Sequence, residues 1–252
     1  MVLKRIMPCL LFNGRGLVKT KCFKNPDYVG DPINAIKIFN EKEVDELILL
    51  DINASREARE PKFEKISEFA SECFMPFTYG GGVKTIVHFQ RLYALGVEKV
   101  AVNELIRENP AVVKEAVSLF GAQAVIGVAN MRINSNGVYQ VYDYKKNKSL
   151  QVPIDEHIDY LQNELGVGEI LIQNVSLEGT WEGFSHELLA SVLKTAKVPV
   201  IALGGAKDSS DIVKMLYQTN ADAVAIGSMA VYQKKDMGVL IRFPKRENII
   251  TE

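Results

Sequence analysis

The residues best placed for chemistry are glycines in two turns. Gly80-Gly81-Gly82 lies in "PFTYGGGVKT", and Gly204-Gly205 lies in "PVIALGGAKD". A turn without Cβ atoms lets backbone N–H groups come close to an anion, and a following helix adds partial positive charge. Each turn is followed by a small polar residue further on: Asn103 in "KVAVNEL", and Ser228, behind Gly227, in "AIGSMA". Two such sets predict two phosphate sites, suited to a small molecule with a phosphate at each end. An acid or base is harder to find. "PCLLFNGRGLVK" (8–19) reads as a buried strand opening into a glycine-rich mouth, yet the strand ends in Leu11 and Phe12. Asp51, closing "ELILLD", is the best remaining acid for proton work, and an orienting role is equally open to it.

Other reactive side chains carry less. Cys9, Cys22 and Cys73 lack CxxC spacing, so neither a disulfide scaffold nor a zinc ribbon is predicted. Cys9 reads as core packing. His88, His157 and His186 fall in or beside helical stretches without a repeated ligand spacing and read as surface residues. No metal or cofactor is expected. Trp181, just after Gly179, either caps a pocket or packs on its own loop.

Positioning these residues requires a repeating frame. Apolar runs at 5–12, 46–51, 76–79, 99–103, 123–129, 169–174, 199–203 and 222–227 are rich in Val, Ile and Leu, as buried parallel strands are. Between them lie stretches with helical spacing, such as "DPINAIKIFNEKEV", with Asp31 as N-cap and Pro32 at the first helical position. Eight such units predict an α/β fold, a (β/α)8 TIM barrel forming one domain over 1–252 with an irregular tail at 236–252; an open doubly wound sheet is the alternative. Pro76 and Pro199 stand 123 positions apart, as do Glu46 and Glu169. This internal two-fold, half-barrel repeat favours closure. "VYQVYDYKKNKS" reads as a small β-excursion after strand five, turning at "NSNG".

Composition bounds the rest. The 252 residues are 47% hydrophobic and 24% charged, with a formal net charge of −1, which leaves no basic footprint for nucleic acid. No apolar run approaches the ~18 residues of a membrane helix. Sparse, unpaired cysteines suit a reduced, cytoplasmic compartment.

The motifs "KRIMPCLLFNGRGLVK", "NEKEVDELILLDI", "PFTYGGGVKT", "GVEKVAVNE", "FGAQAVIG", "GEILIQNVSLEGTWEGF" and "VIALGGA" together resemble the cyclase subunit of imidazole glycerol phosphate synthase. The resemblance runs to about residue 235. It implies a barrel that takes ammonia from a class I glutaminase docked on its bottom face, as a heterodimer, and uses it on a phosphorylated ligand at the top. It places the family's two catalytic aspartates at Leu11 and Asn130, neither of which exchanges a proton at neutral pH. A general acid or base is worth about 10² to 10⁴-fold, so the cyclase chemistry is predicted lost. The phosphate-contacting positions fall on Gly81, Gly82, Asn103, Gly179, Gly204, Gly205, Gly227 and Ser228, with Lys19 in a mobile first loop. Glu104 replaces a threonine, and its carboxylate would repel phosphate. The family's gate of alternating charges matches Arg5, Glu46, Lys99 and Glu169, all intact, and Glu98 falls at the partner interface.

An ammonia entrance without an acid–base pair is similar to a branch of paralogues associated with acetamidino sugars of surface polysaccharide or flagellar glycan. There the barrel and its glutaminase serve a separate sugar amidotransferase. The alternatives are a cyclase of histidine biosynthesis and a non-catalytic, glutaminase-activating scaffold.

Overall fold

A computed structural model of the chain describes residues 4–244 and residue 249. Eight parallel strands form the frame: Arg5–Phe12, Leu47–Asp51, Phe77–Gly80, Lys99–Val102, Val125–Ile133, Glu169–Asn174, Val200–Leu203 and Ala223–Ile226, here strands one to eight. Each pairs with the next, and strand eight pairs with strand one through Arg5↔Ala223 to Pro8↔Ile226, so the sheet closes into a (β/α)8 barrel.

Local chemistry builds each unit. Asp31 caps the first helix, Pro32–Glu41, by accepting from the Asn34 N–H at 3.0 Å, and Pro32 begins it without wasting a donor. Thr85, Ser185 and Asp208 cap later helices the same way. The eighth helix has only four residues, Ser228–Val231. Beyond it Tyr232 and Val239 form an isolated bridge, and 239–244 carry no further helix or strand; tail residues 245–248 and 250–252 lie outside the described residues.

Strand alternation divides the core in two. One set of positions, among them Phe39, Phe69, Phe77, Phe89 and Val100, packs between sheet and helices. The other set, Met7, Cys9, Leu11, Ile48, Ala101, Ile126, Val128, Leu171, Ile201 and Ala225, fills the barrel interior. Each half also begins with a long strand followed by an antiparallel excursion. The one after strand five pairs Tyr139–Asp143 with strand five, as expected, turning over residues 134–137. The one after strand one, Leu17–Lys21 with Lys24–Gly30, is a full hairpin where an open loop was expected. The hairpins meet where the Phe23 and Tyr142 rings lie 6.5 Å apart.

Candidate functional site

The barrel's N-terminal end carries a ring of charge. Arg5, Glu46, Lys99 and Glu169 stand at the starts of strands one, two, four and six. Arg5 reaches Glu46 at 2.5 Å and also pairs with Glu169. Lys99 reaches the same two carboxylates at 2.9 and 3.0 Å. Each cation therefore bridges both anions. Burial works against the Arg5 charge, but Glu169 and then Glu46 outweigh it and hold the guanidinium above its ordinary pKa. Glu98 is exposed beside Lys99.

At the opposite end the two glycine turns take left-handed backbone conformations, with φ +119° at Gly81 and +104° at Gly204. A Cβ on Gly81 would overlap the Asp51 carbonyl, and one on Gly204 the Asn174 carbonyl, so both turns press on the preceding strand. Asp51 and Asn174 are themselves equivalent. Asp51 Oδ1 accepts from the Asn53 and Ala54 N–H groups at 3.2 and 3.0 Å; Asn174 Oδ1 accepts from Ser176 and Leu177 at 3.1 and 3.2 Å. Asp51 further takes two bonds of 2.9 Å from Arg59. Its side chain is fully buried, and its parity is opposite to the interior-facing Leu50. Both carboxylate oxygens of Asp51 therefore accept hydrogen bonds within the protein.

A cavity of about 180 Å³ lies over the strand ends, lined mostly by the first half with Val128, Asn130, Gln173 and Leu203 from the second. Leu11, Leu50, Ala101, Val128 and Leu203 make its apolar wall, and Phe23 and Tyr144 overhang it. Asn130 donates to Asn103 Oδ1 at 3.3 Å, and Asn103 donates to the Val128 carbonyl at 2.7 Å. Glu104 is neutralised by Lys145 at 2.5 Å, from the strand-five excursion. Cys9 is buried in the wall, and burial pushes its thiol up to about 12.

The second half offers only about 20 Å³ around Gly204, Gly205 and Ser228, with Trp181 on its wall at φ +63°. Lys19 fills part of this space: its Nζ lies 2.5 Å from where a Cβ on Gly227 would be. Glu178 accepts from Lys19 at 3.3 Å, from the Thr20 hydroxyl at 3.0 Å and from the Phe23 N–H at 3.1 Å. Gly179 lies so close to the Thr20 carbonyl that a side chain would clash there.

Several expectations need correction. Lys19 is not on an open loop: it belongs to the hairpin strand Leu17–Lys21 and is buried. His88 and His157 are not surface residues. His88 packs edge-to-face on Phe63, and burial, then Arg107, lowers the His157 pKa to about 4. Only His186 is substantially open, its ring nitrogen bonded to Thr219 Oγ1. Trp181 both lines the small cavity and packs on the core. Arg59, Thr20, Tyr144 and Gln173 were not singled out. Gln173 had a signal, a polar side chain two positions after the interior-facing Leu171 of strand six.

Among the described residues no His, Cys, Asp and Glu side chains gather as a metal site, and no helix is long and apolar enough to cross a membrane. Fold and mouth define a (β/α)8 barrel of the kind that binds its ligands at the carboxyl ends of the strands. Residues 5–236 match the family model described as "Histidine biosynthesis protein". The chain is 45% identical over 244 residues to a protein of Pseudomonas aeruginosa, covering 97% of each; that protein's name is "Putative imidazole glycerol phosphate synthase subunit hisF2". It is 37% identical over 249 residues to a HisF protein of Leptospira interrogans, covering 98% of each. It is 32% identical over 269 residues to the "Imidazole glycerol phosphate synthase subunit HisF" of Methanococcus vannielii, covering 99% of this chain and 98% of the relative. The chain therefore belongs to the histidine-biosynthesis barrel family, the family of the HisF proteins.

Proposed function

We propose that the chain is the barrel subunit of a glutamine-dependent complex. A HisH-like class I glutaminase docks on the bottom face beside Glu98 as its heterodimer partner. Ammonia enters through Arg5, Glu46, Lys99 and Glu169, crosses the apolar interior and leaves at the mouth. It is used to amidate a sugar in surface-glycan biosynthesis, by a separate sugar amidotransferase in the cytoplasm.

The ring of four charges is the observation that carries this reading. Two cations and two anions in one cycle neutralise each other, so the ring presents no net charge to a small neutral molecule. Ordinary surface pairs would contribute little and need not share partners. The sugar acceptor is supported by Leu11 and Asn130, which leave the mouth without the cyclase's two acids, and by the motif resemblance to the glycan-associated branch. A phosphorylated ligand of the barrel itself has Gly81, Gly82 and Asn103 available in the larger cavity.

The test uses the complex with its glutaminase. Charge reversal by Lys99→Glu or Glu169→Lys is expected to leave glutamine hydrolysis running while product formation falls. Coupling that survives both changes overturns the reading. Turnover of the histidine-pathway substrate with excess ammonium salt above about 1 per second would instead establish a working cyclase.

A further inference from the structure

The carboxyl-end face of the barrel is unlike the rest of the surface. Among the described residues ten large apolar side chains are exposed. Six of them, Tyr28, Ile133, Val138, Met237, Val239 and Leu240, belong to the first hairpin, the strand-five excursion and the tail. These three segments, 13–31, 131–150 and 232–242, also hold eleven Lys and Arg against four Asp and no Glu, in a chain of net charge −1. They join into one rim. Phe23 meets Tyr142 across the two hairpins. On the other side, burial and then the nearby Asp27 carboxylate raise the pKa of Tyr232, which bridges to Val239. Phe23 and Pro26 of the first hairpin line the larger cavity, so whatever sits on the rim also covers the mouth. The rim is held in place as well. The Glu178 carboxylate accepts from Lys19, Thr20 and the Phe23 N–H, and its carbonyl accepts from the Cys22 N–H at 2.9 Å. Clustered exposed apolar side chains mark contact surfaces, and a surface already pinned is bound without a further ordering cost.

We infer that this rim is the docking surface for the enzyme that consumes the ammonia, and that this enzyme presents an apolar centre ringed by carboxylates. The inference rests on the proposed passage of ammonia through the barrel and adds where the ammonia is handed over. Ammonia that escapes from the mouth into water is protonated and ceases to be a nucleophile, so the exit needs a protein cover. The excess of cations on the rim selects an acidic partner face and steers its approach.

The test uses the chain with its glutaminase and the proposed sugar amidotransferase, mixed as purified proteins. Two double variants change only exposed side chains: Tyr28→Ser with Leu240→Ser, and Lys24→Glu with Lys146→Glu. Each is expected to weaken amidotransferase binding at least tenfold by calorimetry. Product formation from glutamine is expected to fall with it, while product formation from ammonium salt stays unchanged. Binding by the parent chain is expected to weaken between about 0.05 and 0.5 M salt, and binding by the lysine variant to change less. Unaltered affinity of both variants overturns the inference, as does product formed from glutamine by the parent proteins without any binding. It is also overturned if the parent chain binds no amidotransferase and the variants instead abolish its self-association or its attachment to phosphatidylglycerol vesicles, which would give the rim to a second copy or to a membrane. Uncoupling by Lys99→Glu alongside full-strength binding of both rim variants sinks the docking and keeps the ammonia passage. The reverse pattern keeps the docking and sinks the passage.

Discussion

At the end of strand two Asp51 gathers two backbone N–H groups and Gly81 presses on its carbonyl; at the end of strand six Asn174 and Gly204 repeat the arrangement. The two halves then diverge. The first recruits Arg59 outward onto Asp51, and its glycine turn opens onto the shared cavity of about 180 Å³. The second sets Lys19, Glu178 and Trp181 around its turn and keeps about 20 Å³. A repeated backbone therefore supplies the geometry of an anion site twice, while the side chains decide whether anything can enter. A ligand with a phosphate at each end, the expectation from the twinned turns, would meet a wide turn and a narrow one.

The comparison can be broken most forcefully at the glycines. Gly81→Ala and Gly204→Ala each combine a left-handed φ with a backbone clash, and each should cost about 3 kcal/mol or more in urea unfolding. Losses that differ widely would show that the turns are not equivalent in their strain. Next in size is Arg59→Met, which leaves the fully buried Asp51 carboxylate unpaired. We expect a loss of about 3 kcal/mol, most of it recovered when Asp51→Asn is added to copy the second half. A double variant no more stable than the single one would remove the idea that Arg59 serves to neutralise Asp51. The smallest effect is expected from Glu178→Gln, about 1 kcal/mol, because the amide oxygen still accepts from Thr20 and Phe23. Its value lies in ligand binding. Inorganic phosphate should then shift the Gly204 and Gly205 backbone amide resonances, which it leaves in place in the parent chain. A parent chain that responds equally would mean that the second half is not filled.

Sequence made most of the barrel strands legible because they are Val, Ile and Leu runs with no competing periodicity; strand three, Phe77–Gly80, has none of these residues and was legible from its place before the glycine turn. The excursion after strand five was legible from its Asn-Gly turn. The hairpin after strand one was not: Lys24–Gly30 is mostly exposed, contains Pro26 and shows no alternation, so nothing in its residue types marks a strand. The glycine turns and the strand-start charges were legible because their spacing repeats. The filling of the second half was not, since Lys19 and Glu178 are far apart in the chain and only closure joins them. His88 and His157 show a related limit. The spacing between histidines said nothing about which helix face each occupies, and both face the core.

The ladder between strands one and eight has a consequence in time. Every other barrel ladder joins neighbours in the chain, so it can form as each unit is made. Arg5 to Pro8 must wait for Ala223 to Ile226. Until those residues leave the ribosome, the growing sheet has two bare parallel edges, open to pairing with another nascent chain. A stop codon just before strand eight would remove little of the mass and leave both edges permanently exposed. Such a truncation belongs among the most aggregation-prone changes this chain can suffer.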